Sequence, residues 1–292
     1  MPSQLRPNLI VGSDSLLGHA LSEYLTGVGE AVVGTTRRPE MVSESCFFLD
    51  LSQSVDHWNC PVPAKVGFLC AGVTKLDTCR RYPIETARVN VRGIIQLARY
   101  LLEHGAFVIF PSTNLVFDGS ETFRNPCDLP SPRTEYGRQK FSAEQELLKL
   151  GSKSGVVRFT KILEPCNRLI MNWVQALQHG LVIKPFVDMV IAPVPLRFAV
   201  EALYRISESH LTGITQISGN RDVSYEQMAR YVAERLGADQ KLILPVEVRE
   251  ACPHLEPPAA NTTLDTTRLS EQLGLDPPDV WETIDLIAGF RT

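Results

Sequence analysis

Nowhere does the sequence contain the ~18 consecutive apolar residues that a membrane-spanning helix requires, and it has no C-x-x-C pair, no internal repeat and no low-complexity tract. The first absence excludes a spanning helix, and the stretch Met1 to Asn8 lacks the apolar run of a secretory leader. The seven cysteines, Cys46, Cys60, Cys70, Cys79, Cys127, Cys166 and Cys252, are odd in number and scattered. They read as free thiols in a reducing compartment rather than as a disulfide framework or a metal site, so a cytoplasmic protein is expected. Net charge is also small. A formal net charge of -4 gives no general attraction for nucleic acid or for an anionic membrane, so an acidic ligand needs local cations. What remains is ordinary globular composition, 44% hydrophobic and 21% charged over 292 residues, enough to bury a core without metals or cross-links.

The first half alternates short buried-strand runs with helical patterns. Leu9 to Val11, Ala31 to Gly34, Cys46 to Leu49, Val66 to Cys70, Phe107 to Phe110 and Val156 to Phe159 are the strand candidates. That rhythm implies crossover units and a parallel sheet. Leu17, Ala20, Leu21, Tyr24 and Leu25 share one helical face, and Gly27 is placed to end that helix. Ile94, Ile95, Leu97, Ala98, Leu101 and Leu102 repeat the pattern before the fifth strand. From about Lys161 the chain is richer in proline and irregular, apart from a capping box at Ser224 and Gln227 with Gly237 past the helix end. The expected fold is α/β, a Rossmann-type doubly wound parallel sheet over residues 1–160, with a smaller C-terminal substrate domain over residues 161–292 that can interleave with the sheet. The Pro-rich stretch Cys252 to Ala260 reads as a loop.

Leu9-Ile10-Val11-Gly12-Ser13-Asp14-Ser15-Leu16-Leu17-Gly18 runs from a strand through a tight turn into a helix. Such a turn offers unpaired N–H groups and the positive helix end to a pyrophosphate, although an ordinary strand-to-helix turn has the same outline. The second strand ends in Gly34-Thr35-Thr36-Arg37-Arg38. Two guanidinium groups and no carboxylate at that place suit a ribose 2′-phosphate, and would otherwise be two solvated arginines. Asp50 precedes Leu51-Ser52 and can equally be a helix cap.

The sharpest signal is Tyr136-Gly137-Arg138-Gln139-Lys140, with Thr113 just past the fifth strand. Positions i and i+4 lie on one helix face, so Tyr136 and Lys140 can enter the same site, where an ammonium draws a phenol toward its working range. A Thr113 hydroxyl can bond a reacting oxygen.

At these residues the sequence resembles the extended short-chain dehydrogenase/reductases, and within them the dTDP-4-dehydrorhamnose reductase branch. Pro111-Ser112-Thr113-Asn114-Leu115-Val116-Phe117-Asp118-Gly119 is similar to that branch's S-T-D-Y-V-F-D-G, and Tyr136 to Lys140 to its Y-G-x-x-K. Cys70-Ala71-Gly72-Val73-Thr74 with Val89-Asn90-Val91-Arg92-Gly93 resembles its adenine-side turn and following helix. Pro258-Ala259-Ala260-Asn261-Thr262-Thr263-Leu264-Asp265 with Arg268-Leu269 resembles its C-terminal signature.

The resemblance implies NADPH-dependent reduction of a nucleotide-linked keto-sugar, with NADP(H) as cofactor and NAD(H) as the alternative. Thr113, Tyr136 and Lys140 would be catalytic, Tyr136 giving its proton and Lys140 holding the nicotinamide ribose. Gly12, Ser13, Asp14, Ser15, Leu16, Leu17 and Gly18, Arg37 and Arg38, Asp50 and Leu51, Cys70, Ala71 and Gly72, and Asn90 would line the cofactor together with Tyr136 and Lys140. Asn90 would place Lys140 through water or serve structurally, and Arg158 and Lys184 are candidates for a substrate phosphate. The partner implied is a nucleotide sugar, with no nucleic acid or membrane, and a homodimer fits the pattern.

Departures from the branch accompany the matches. Ser15 replaces its middle glycine, Asn114 its Asp and Leu115 its Tyr, and Pro257-Pro258 stands for its Arg-Pro. The segment Phe186 to Val194 lacks its Gln and Gly. An epimerase or dehydratase of the same superfamily, and a non-catalytic NADP-binding regulatory subunit, remain alternatives.

Overall fold

The computed structural model describes residues 6–55, 58, 60–151, 153–252 and 256–290. Parts of the N-terminal stretch and of the Pro-rich stretch therefore lie outside the described residues. In chain order the regular elements begin with β1 (Asn8–Val11), α1 (Leu16–Gly27), β2 (Val32–Thr36), β3 (Cys46–Phe48), β4 (Val66–Leu69), α2 (Leu76–Arg81), α3 (Pro83–Ala87) and α4 (Ile94–Glu103). They continue with β5 (Phe107–Thr113), α5 (Glu135–Lys149), β6 (Ser154–Phe159), β7 (Ile162–Leu163), α6 (Arg168–Gln178), β8 (Val190–Ile191), β9 (Val194–Pro195) and α7 (Leu196–Glu208). The last are β10 (Gly213–Ile217), β11 (Val223–Ser224), α8 (Tyr225–Leu236), α9 (Val248–Ala251), α10 (Thr267–Leu273) and α11 (Val280–Ala288). No helix among the described residues is long and apolar enough to cross a membrane.

The chain divides into two compact units whose segments interleave. One comprises Met1–Val116, Pro130–Arg158 and Val200–Thr215, the other Phe117–Leu129, Phe159–Ala199 and Gln216–Thr292. A single cut at residue 160 thus falls beside one real junction, while two further segments return across it.

The first unit is built on a seven-stranded sheet of order β10-β6-β5-β4-β1-β2-β3. β1 pairs in parallel with β2 and β4, β2 with β3, and β4 with β5. Every residue of β1, β4, β5 and β6 is buried, as strands covered on both faces require. The core joins Leu9, Val11 and Leu69 of the sheet to Leu97, Leu101 and Leu147 of the covering helices. Successive strands step one way from β1 and the other way from β4, so the order reverses between these two. At such a switch point the loops leaving the strand ends part and open a crevice. The turn after β1 and the turn after β4 flank it.

α1 runs through Gly27, and the residue that takes the left-handed conformation is Gly29, at φ +86°. The helix thus ends at Gly27 as expected, while the positive φ falls two residues later, where the chain turns into β2.

In the second unit α6, α8 and α11 pack together around Trp173, Met228, Val232 and Ile284. β8 and β11 form an antiparallel pair, and β7 and β9 a parallel one. Ser224 and Gln227 form the expected capping box and Gly237 the left-handed cap of α8. The segments around Gly119 and Asn261 are stitched by Asn261 N–H to the Gly119 carbonyl, 3.0 Å, and Phe123 N–H to the Thr263 carbonyl, 2.9 Å. Asp222 accepts from the hydroxyls of Thr262 and Thr263, 2.6 Å each, which fixes the C-terminal signature segment within this unit.

Candidate active site

Gly12 sits at φ +78°, and a Cβ on it would lie 2.8 Å from the Cα of Ala71. Only glycine lets the turn after β1 approach the turn after β4 this closely. Gly12 N–H donates to Thr35 Oγ1, 3.2 Å, and Ser13 N–H to the Thr35 carbonyl, 3.0 Å, tying the turn to β2. Gly18 is equally constrained, since a Cβ there would strike the Gly12 carbonyl. Ser15, which stands where the resembling branch has glycine, is the N-cap of α1. Its hydroxyl donates to the Gly12 carbonyl, 2.7 Å, and accepts from Gly18 N–H, 3.1 Å. The side chain is thus turned inward on the loop rather than toward a ligand. Leu16 and Leu17, in the first helical turn, keep N–H groups with no intrahelical acceptor. The bare face at Gly12 and these N–H groups at the positive helix end fit a dinucleotide's pyrophosphate.

The other cofactor candidates divide. Arg37 and Arg38 are both exposed at the end of β2, and Arg38 Nε lies 3.2 Å from a carboxylate oxygen of Asp14. The reading that no acid stands near these arginines is corrected: the carboxylate comes from the turn after β1, not from the strand that carries the arginines. Asp50 Oδ1 accepts from Ser52 N–H, 2.9 Å, and so closes a turn after β3; no helix begins there among the described residues, so the helix-cap alternative does not hold. Leu51 is buried, and its carbonyl meets Gly93 so closely that no side chain fits there.

Cys70, Ala71 and Gly72 form the turn after β4, and burial pushes the Cys70 thiol up to about 12 against the pull of the Lys140 ammonium. Asn90 lies in a widened π-type turn, Arg88–Gly93, and clamps the segment after β4 through both amide atoms. It accepts from Val73 N–H, 2.7 Å, and donates to the Val73 carbonyl and to Gln139 Oε1, 2.9 Å each. Its polar atoms are engaged between that segment and α5, a structural role.

Thr113 ends β5, nearly buried. Its Oγ1 accepts from Leu115 N–H, 3.2 Å, and lies 3.4 Å from Asn114 Oδ1. α5 starts at its N-cap Thr134, whose hydroxyl accepts from Gly137 N–H, 3.0 Å. Gly137 presses against the Leu115 carbonyl with no room for a Cβ, so the first turn of α5 rests on the turn that follows Thr113. This contact brings Tyr136 beside the Thr113–Leu115 turn.

One helical turn on, Lys140 is 7% exposed, donates to the Pro111 carbonyl at 2.6 Å and lies 3.9 Å from the centre of the Phe110 ring. Burial lowers its pKa to about 8, opposed by the charges of Glu144 and Cys70. Burial pushes the Tyr136 phenol above its ordinary range, and Cys79 adds in the same direction. The expected lowering of Tyr136 by Lys140 is not what this geometry produces, because the ammonium is directed at Pro111 and at the Phe110 face.

Below Lys140 on the same helix face lies Glu144, which the sequence reading missed although its i+4 spacing from Lys140 is legible. Glu144 and Arg158 are each 1% exposed in their side chains, with Arg158 Nη2 donating to Glu144 Oε2 at 2.7 Å and Nε donating at 3.1 Å to Oε1. The Ser112 hydroxyl donates to the same carboxylate. Arg158 is therefore a buried counter-ion, not a group open to a substrate phosphate; its strand is covered on both faces. Lys184, in the second unit, is exposed.

Residues 7–288 match the family described as RmlD substrate binding domain. The chain is 25% identical over 289 residues to a dTDP-4-dehydrorhamnose reductase of Aggregatibacter actinomycetemcomitans, covering 94% of this chain and 95% of that protein. It is 30% identical over 162 residues to methionine adenosyltransferase 2 subunit beta of Bos taurus, a match spanning 55% of this chain and 48% of that protein. Its fold superposes with a TM-score of 0.82 on the crystal structure of dTDP-4-dehydrorhamnose reductase from Bacillus anthracis in complex with NADP, at 18% identity, covering 98% of this chain and 99% of that one. A match reaching across nearly the whole chain, together with the shared fold, shows that the chain belongs to the RmlD substrate binding domain family of the extended short-chain dehydrogenase/reductases.

Proposed function

We propose that this protein reduces a keto-sugar carried on a nucleotide, using NADPH and accepting NADH. The observation that carries the reading is Tyr136, Lys140 and Thr113 gathered where α5 rests on the end of β5, in the unit that also holds the Gly12 turn. When bound, a reduced nicotinamide supplies the hydride to the sugar carbonyl carbon. Thr113 Oγ1 accepts from Leu115 N–H, and its hydrogen, donated to Asn114 Oδ1 across a long 3.4 Å, would turn from that bond to the carbonyl oxygen. Tyr136, kept protonated by burial, gives its proton to that oxygen as negative charge develops there. Lys140, one helical turn on and bonded to the Pro111 carbonyl, would hold the nicotinamide ribose.

A regulatory reading has its own support in the identity to methionine adenosyltransferase 2 subunit beta over half the chain. The complete Thr113, Tyr136 and Lys140 set favours catalysis. Dehydration of the sugar is disfavoured because it requires further proton-transfer groups. At the two positions after Thr113 stand Asn114, an amide, and Leu115, an alkyl chain, and neither exchanges a proton near neutral pH.

Incubation with NADPH and a dTDP-linked 4-keto-6-deoxy sugar is expected to consume NADPH and give the corresponding alcohol. The same protein with a dTDP- or UDP-hexose is expected to give no product lighter by one water. Mass spectrometry of the nucleotide sugars reads both, and a water-loss product overturns the reductase assignment.

A further inference from the structure

We infer that Asp14 is a specificity-determining residue that weakens this protein's preference for a 2′-phosphorylated cofactor; the inference rests on the cofactor reading above and refines it. Asp14 lies in the turn after β1, its side chain 16% exposed, and pairs with Arg38, 57% exposed, at 3.2 Å. Arg37 is exposed beside it, and among the described residues no carboxylate pairs with Arg37. The two guanidinium groups at the end of β2 therefore do not act as equals, since one is already held by an anion of the protein.

A 2′-phosphate reaching Arg38 must take the guanidinium from Asp14 or accept a carboxylate as neighbour. Either route subtracts from the charge-assisted bond that an unopposed arginine would give. A ribose with a free 2′-hydroxyl leaves the pair closed, and the carboxylate stays available as an acceptor for that hydroxyl. The turn holds Asp14 in place: Ser13 N–H and Gly12 N–H both bond Thr35, one strand position before Thr36 and two before Arg37, so the carboxylate is fixed relative to the arginines by the β1–β2 pairing. The ion pair is too exposed to matter much for stability. Its effect is on which dinucleotide binds.

The test is direct binding of NADPH and of NADH, each followed by nucleotide fluorescence or calorimetry with no sugar present. Asp14→Asn keeps the size and removes the charge. The expected result is a rise of about tenfold in the ratio of NADPH to NADH affinity, the size of one screened charge contact. Arg38→Gln supplies the second arm: it is expected to lower that ratio, and Asp14→Asn added to it is expected to change little, because the competed group is gone. Both nucleotides binding the unmodified protein with the ratio unmoved by Asp14→Asn overturns the inference and leaves the cofactor reading standing. Neither nucleotide binding the unmodified protein overturns both.

Discussion

Replacement of Tyr136 by Phe is expected to lower turnover by about 100-fold or more while NADPH affinity stays within about twofold. The substitution keeps the ring and removes only the hydroxyl. Loss of a general acid falls on the chemical step, so kcat and kcat/KM should fall together while binding persists. A pH profile adds an independent readout. Lys140 has its pKa lowered to about 8 by burial, so its cation is present below that value and lost above it. The kcat/KM of the unmodified protein is accordingly expected to decline as pH rises through about 8, well before an ordinary lysine would titrate. Steady-state kinetics of the variant and the unmodified protein check both statements. Undiminished turnover in Tyr136→Phe removes that residue from the mechanism.

The second large effect concerns stability. Glu144→Leu is expected to destabilise the protein by about 3–5 kcal/mol, because it strands the buried Arg158 guanidinium without its counter-ion. The pair is fully desolvated, with Arg158 bonded to both carboxylate oxygens, and Ser112 loses its acceptor as well. Replacing both partners, Glu144→Leu with Arg158→Met, is expected to recover much of the loss, since an apolar pair of similar volume avoids the desolvation that the ion pair must offset. Urea unfolding of both variants beside the unmodified protein measures this. A single variant within about 1 kcal/mol of the unmodified protein would show that the pair is not sealed from water. Glu144→Gln should act on the chemistry too. Glu144 helps keep Lys140 charged, so its neutral replacement is expected to move the falling limb of the pH profile to lower pH.

How much of this was legible before the structure differs by element, for physical reasons. β1, β4, β5 and β6 announce themselves because strands buried on both faces must be continuous apolar runs. β10, Gly-Ile-Thr-Gln-Ile, carries no such run, yet it joins the sheet beside β6. Its return, with α7 from Val200 onward, is one of the two crossings that interleave the units, and no local pattern encodes it. Tyr136 and Lys140 stood out by their helix spacing together with their place after the fifth strand and Thr113, and Glu144 follows Lys140 at the same spacing. The Asp14–Arg38 pair was not, since the two residues are neighbours only once β1 and β2 are in register. Arg158 misled for a related reason: a cation next to a substrate segment looks available until its strand is seen to be covered. Ser15 stood in the sequence only as a departure from the branch's middle glycine, and it is the N-cap of α1, a role that Ser fills as readily as any residue.

Hydride transfer to a nucleotide-linked sugar ketone is read out by supplying NADPH deuterated at the transferring position of the nicotinamide together with a dTDP-linked 4-keto-6-deoxy sugar. The expected result is one deuterium on the new carbinol carbon, with one NADP formed for each molecule reduced. Product that forms without the label, or NADPH that binds and is never consumed by any nucleotide-linked keto-sugar, would contradict it.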